Sequence, residues 1–119
     1  MILDEHIEQD IRIAGREISE LVPSGEILAQ IAEEAAELSQ AALKLRRALT
    51  KTNPTPVSPT DAWEKMMEEY ADVMLAVGVF TVDEVRVQDI RLRKSARWLK
   101  RLRETKDREF CKKNGPQKN

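Results

Sequence analysis

Apolar residues recur along this chain at alternating steps of four and three, the spacing that keeps side chains on one side of an α-helix. Ile7, Ile11, Ala14, Ile18 and Leu21 form the first stripe and predict a helix from about Asp4 to Leu21. Pro23-Ser24-Gly25 ends it, with Ser24 as the expected N-cap of the next helix and Glu26 in its first turn. The second stripe, Ile31, Ala35, Leu38, Ala42, Leu45 and Leu49, predicts a helix from about Gly25 to Leu49. Pro54, Pro56 and Pro59 then forbid a helix between Thr50 and Thr60. Ser58 is placed to cap a third helix, with Pro59 at its first position and Asp61 in its first turn.

The third helix, about Pro59 to Phe80, has Trp63, Met67, Tyr70, Met74 and Val77 as its expected seam. Its last turns, Val73 to Phe80, are apolar on every side, which calls for burial on every side and points to a subunit interface. Thr81-Val82-Asp83-Glu84 has the form of a capping box and opens a fourth helix, expected to end near Glu104. Residues 111–119 read as a polar tail beyond a single domain of residues 1–110. The expectation is an all-α fold, a bundle of four or five helices.

Composition agrees with that class. Aromatic residues make up 4%, with 4 Gly and 5 Pro, too few for a sandwich or barrel of many short strands. The lone Cys111 excludes an internal disulfide. No apolar run approaches the roughly 20 residues that span a bilayer, and acidic residues follow Met1-Ile2-Leu3 too early for a secretory signal. A cytoplasmic protein without a membrane partner is the expectation. Charge adds a polarity: residues 1–90 carry 8 Lys/Arg against 18 Asp/Glu, and residues 91–119 carry 12 against 3. An acidic body with a basic last helix can neutralise itself, or can hold a metal in one place and phosphates in another.

Two acidic stretches stand out, Glu33-Glu34-Ala35-Ala36-Glu37 and Glu68-Glu69-Tyr70-Ala71-Asp72. Three residues apart on a helix is adjacent, so Glu34 with Glu37 and Glu69 with Asp72 are pairs of neighbouring carboxylates. Glu34 falls beside the second stripe, where a carboxylate is expensive unless paired or metal-bound. Glu33 points to water. Four carboxylates are hard oxygen donors, suited to Mg²⁺ or Mn²⁺ rather than zinc. A di-iron site of the helical-bundle type needs Glu-x-x-His pairs, and the single histidine is His6. On the fourth helix, Lys94, Arg97 and Arg101 share a strip of about 60° that could meet a phosphate chain. Trp63 and Trp98 sit at stripe positions and are read as core.

Gln30-Ile31-Ala32-Glu33-Glu34-Ala35-Ala36-Glu37-Leu38, followed by Glu68-Glu69-Tyr70-Ala71-Asp72-Val73-Met74, resembles the MazG-like members of the all-α nucleoside triphosphate pyrophosphohydrolases. The resemblance covers about Ser24 to Arg103. It implies an oligomeric helical bundle, a homodimer or homotetramer, that binds Mg²⁺ and cleaves nucleoside triphosphates to the monophosphate and pyrophosphate. By position it implies Glu34, Glu37, Glu69 and Asp72 as metal ligands on the second and third helices. Glu37 would also receive the proton of the attacking water, and Lys94, Arg97 and Arg101 would meet the phosphates. The chain departs from the family pattern in three ways. Its spacer of 31 residues between Glu37 and Glu69 is long, and no Asn precedes Lys94, where Gln88 and Asp89 are the nearest polar residues. It also lacks the Tyr-His pair of the phosphoribosyl-ATP relatives. The competing expectation is a catalytically silent oligomeric helical protein that holds nucleotide or, less expectedly, nucleic acid on its basic last helix.

Overall fold

A computed structural model describes residues 3–51, 56–80 and 82–115. Regular structure among them is entirely helical: α1 (Glu5–Leu21), α2 (Ser24–Thr50), α3 (Pro59–Phe80) and α4 (Glu84–Asn114). None of these helices is long and apolar enough to cross a membrane. The chain divides into two units, Met1–Val82 with α1 to α3 and Asp83–Asn119 with α4.

The helix starts follow local chemistry. The Asp4 carboxylate accepts from the backbone N–H of His6 at 2.9 Å and of Ile7 at 3.3 Å, satisfying two donors that an α-helix leaves free at its first turn. The Ser58 hydroxyl accepts from the Asp61 N–H at 3.1 Å, and Pro59 opens α3 as expected. At α2 the cap falls one residue earlier than predicted: Pro23 stands at the N-cap and Ser24 is already helical, without a side-chain cap bond. Asp83 caps α4, accepting from the Arg86 N–H at 3.0 Å. Thr81, the other half of the expected capping box, lies outside the described residues, as do Pro54 and residues 116–119 of the expected tail. The helix itself runs on past Glu104 to Asn114. Its last turns hold Lys, Arg and Glu, good helix formers, and no Gly or Pro precedes Gly115.

In the first unit α2 and α3 pack antiparallel. Ile27 near the start of α2 lines one cleft with Val79 near the end of α3, and mid-helix Glu34 and Glu37 meet Glu69. Buried positions on α2 are Ile27, Ala41 and Ala48, with Ile31, Glu34, Leu38 and Leu45 half-buried between them. That stripe also steps by four and three, but it is turned by roughly 50° from the predicted one. Ala35, Ala42 and Leu49 face water instead. On α3 the stripe is Ala62, Met66, Glu69, Val73 and Ala76, about one residue, or 100°, round from the predicted seam. Trp63 is therefore 48% exposed rather than core, and Tyr70 and Met74 are exposed with it.

Size explains both rotations. Ala41, Ala48, Ala62 and Ala76 are buried on the two facing stripes. Alanines let two helix backbones approach closely, and the bulkier residues are left at the rim. Against this pair, α1 packs on α3 through Gly15, where a Cβ would stand 3.9 Å from the Val79 side chain. No residue of α1 is fully buried, and Ile7, Ile11 and Leu21 of its predicted stripe are exposed. The apolar end of α3 is divided: Ala76 and Val79 are buried within the unit, while Met74, Leu75 and Phe80 are exposed.

Candidate metal centre

Turning the two stripes carries the acidic motifs inward. Glu34 lies in the α2 stripe and Glu69 in the α3 stripe, so the helix pair buries carboxylates where its pattern would otherwise place leucine or alanine. Glu69 is only 5% exposed, as buried as the alanines around it. Glu34 is half-buried, and Glu37, one turn on, is exposed at the rim. One carboxylate oxygen from each of the three lies within 4.8 Å of the others.

Two side chains from one turn earlier hold the buried pair. Gln30 donates its amide N–H to Glu34 Oε1 at 2.6 Å. Lys65 Nζ pairs with Glu69 Oε1 at 2.9 Å and with the exposed Glu68 at 3.5 Å. Each support is four residues before its carboxylate, the spacing at which helical side chains meet. Each also takes one oxygen and leaves the other. Glu34 Oε2 and Glu69 Oε2 are buried without a hydrogen-bond partner. An anionic oxygen buried without a donor is costly, and two of them in one place make a site for a cation.

The same crowding sets the direction in which these groups depart from their ordinary pKa values. The Glu37 carboxyl is raised above its ordinary 4.5, first because it can bond to the facing Glu69 carboxylate only while it keeps a proton. The charges of Glu34 and Glu69 push it the same way, with a smaller contribution from burial. Glu69 is held below 4.5, because its bond to Lys65 outweighs the opposing effect of burial. Lys65 is raised, chiefly by that same bond.

The donor set is three carboxylates with no histidine or cysteine. This is hard oxygen chemistry, which can hold a metal ion of the hard class. Glu34, Glu37 and Glu69 are thus three of the four expected ligands. Asp72 is exposed and outside the triad, but with Glu34 it lines a cleft of ≈ 460 Å³, whose apolar lining includes Ile18, Ile27, Leu75 and Val79. Lys94, Arg97 and Arg101 are exposed on α4, in the second unit, while the triad is built wholly from α2 and α3. Lys65 was not singled out by sequence, although its spacing from Glu69 was there to read. Among known proteins, no family model, no curated protein and no solved structure matches the chain.

Proposed function

We propose that the chain is a Mg²⁺-dependent nucleoside triphosphate pyrophosphohydrolase of the MazG-like kind, releasing pyrophosphate and a nucleoside monophosphate. The observation that carries this is the triad itself: three carboxylates from two helices within 4.8 Å, two of them ending in buried oxygens without partners. In this reading Glu34, Glu37 and Glu69 hold the metal, with Asp72 beside them on the cleft wall. A bound Mg²⁺ or Mn²⁺ lowers the pKa of a coordinated water and neutralises phosphate charge. Glu37 is the residue suited to take a proton, since it stands at the exposed rim and the neighbouring Glu69 and Glu34 carboxylates raise its proton affinity. Glu34 and Glu69 are held in position by Gln30 and Lys65. Lys94, Arg97 and Arg101 supply cations for a phosphate chain. The exposed Ile7, Ile11, Met74 and Leu75 fit a homodimer or homotetramer, in which a second copy covers them.

Pyrophosphate release from a panel of canonical and modified nucleoside triphosphates with Mg²⁺ tests the proposal. Release that needs the metal supports it, and folded protein that turns over none of them ends it. One observation favours the second reading, a silent nucleotide- or nucleic-acid-binding protein: α4 is rich in cations and has no buried residue. That reading requires binding that weakens steeply with salt and does not depend on Glu34 or Glu69.

A further inference from the structure

Glu34 and Glu69, each with one buried carboxylate oxygen, are supported by the same geometry but by different chemistry. Gln30, a neutral donor, takes Oε1 of Glu34; Lys65, a cation, takes Oε1 of Glu69. In each case the remaining oxygen is the buried, partnerless one. Glu69 is the deepest of the three acids, so it bears the largest cost of carrying charge without a counter-ion. Lys65 meets that cost from outside. Its side chain is 58% exposed and only its ammonium reaches the carboxylate, the habit of a long cationic side chain at a buried edge.

We propose that Lys65 is a counter-ion built into the carboxylate site, which stabilises the metal-free triad and limits the affinity of the metal that enters it. The inference rests on the triad being a divalent-cation site. With every group ionised, Glu34, Glu37, Glu69 and Lys65 sum to −2, the charge that one divalent ion neutralises. Lys65 thereby acts in opposite directions on the two states. Without metal it is the sole side-chain cation paired with Glu69 among the described residues. With metal it is a positive charge one carboxylate away from another. Gln30 does the geometric half of this task for Glu34 and none of the electrostatic half.

The test measures Mn²⁺ binding by calorimetry or electron paramagnetic resonance, together with thermal melting in EDTA, on the full chain. Lys65→Gln copies the Gln30 arrangement and removes the charge. It is expected to melt lower than wild type in EDTA and to bind Mn²⁺ about three- to thirtyfold more tightly, as for a unit charge a few ångströms from a divalent ion in a partly wet site. Lys65→Met should behave likewise, and Lys65→Arg should stay close to wild type in both measurements. Mn²⁺ binding that is unchanged or weaker in folded Lys65→Gln and Lys65→Met overturns the counter-ion role. So does Lys65→Arg departing from wild type as far as Lys65→Gln does. If Lys65→Gln does not fold, wild-type behaviour of Lys65→Arg supports the role of charge, and failure of both overturns it in favour of a structural lysine. Wild-type protein that binds no Mn²⁺ at millimolar concentration overturns the metal reading itself, and this inference with it.

Discussion

The α2–α3 pair and α4 use their apolar residues in opposite ways. In α2 and α3 the buried stripes combine Ala41, Ala48, Ala62 and Ala76 with Ile27, Val79 and the Glu69 carboxylate, and Trp63, Tyr70, Met74 and Leu49 are at the rim. In α4 no residue is buried, and Val85, Leu92, Trp98, Leu102 and Phe110 are all exposed. Bulk therefore does not decide which face of a helix is covered here. Close approach does: a stripe of small residues admits a second helix, and whatever polar group lies on that stripe is carried in with it. Glu69 is buried and Glu34 half-buried because they share a stripe with Ala41, Ala48, Ala62 and Ala76. The basic residues of α4 lie on no such stripe and stay hydrated. Folding thus concentrates negative charge in a seam and leaves positive charge spread along a surface.

The largest way to test that contrast is to neutralise one acid in the seam. Glu69→Gln keeps shape and removes charge, and Glu37→Gln does the same at the rim. Each is expected to lower metal-dependent pyrophosphate release by about 10²–10⁴-fold or more, with helical circular dichroism unchanged. A matched change on α4, Arg101→Gln, is expected to raise KM more than it lowers kcat. Full activity in both Glu variants would remove the triad from the chemistry.

Next comes the close approach itself. Ala62 is the most buried residue described, at 1% exposure. Ala62→Leu puts three extra carbons between two helices and is expected to cost about 1–3 kcal/mol, read from the urea midpoint. Trp98→Ala removes far more apolar surface from a position that is 67% exposed, and is expected to change monomer stability by less than about 0.5 kcal/mol. A larger loss at Trp98 than at Ala62 would reverse the comparison. A loss at Trp98 that grows with protein concentration would place α4 in an intersubunit contact.

Much of this was legible in the sequence, and what was not has a common cause. The helix count, the start of α3 at Ser58-Pro59 and the two acidic pairs follow from local chemistry, which needs only neighbouring residues. Register against a partner helix does not. A stripe of Leu38 and Leu45 fits either of two seams, one including Ala42 and Leu49 and one including Ala41 and Ala48, and only packing selects between them. The same ambiguity displaced Trp63 from the expected core. Lys65 was hidden differently: a Lys four residues before a Glu is ordinary on a helix surface, and it becomes informative only once Glu69 is known to be buried. The long α4 shows the converse error, since charged residues that look like a tail are also good helix formers.

A smaller effect separates proton from metal in the seam. Glu37 titrates above 4.5 in the folded chain, so the stability this supplies is present below the unfolded value and is lost as pH rises through the folded one. Glu69, held below 4.5, contributes in the other sense: its share is present above the unfolded value and lost as pH falls through the depressed one. Metal-free protein is therefore expected to lose melting temperature as pH climbs through the range just above 4.5. Saturating Mg²⁺ should abolish that loss, because the ion replaces the proton, and its binding should tighten over the same range. Melting curves in EDTA and in Mg²⁺ that run parallel across this range would show that protons and metal do not compete at Glu37.

The smallest effect asks whether a helix end matters more where its helix is packed. Ser58 caps α3 and Asp83 caps α4 with the same bond, from the N–H three residues on, at 3.1 Å and 3.0 Å. Replacing either with Ala removes the acceptor and costs about 1 kcal/mol locally. On α3 that cost falls on a helix whose stripe carries Ala62, Glu69 and Ala76, so Ser58→Ala is expected to lower global stability by nearly the full amount. On α4 no buried residue ties the first turn to a core, so Asp83→Ala is expected to fray that turn and leave the global transition almost in place. Amide exchange reads the difference directly. Protection at Arg86 should fall in Asp83→Ala while that of Ala76 is unchanged, whereas Ser58→Ala should lower protection across α2 and α3 together. Equal global losses in the two variants would mean that α4 unfolds cooperatively with the acidic seam.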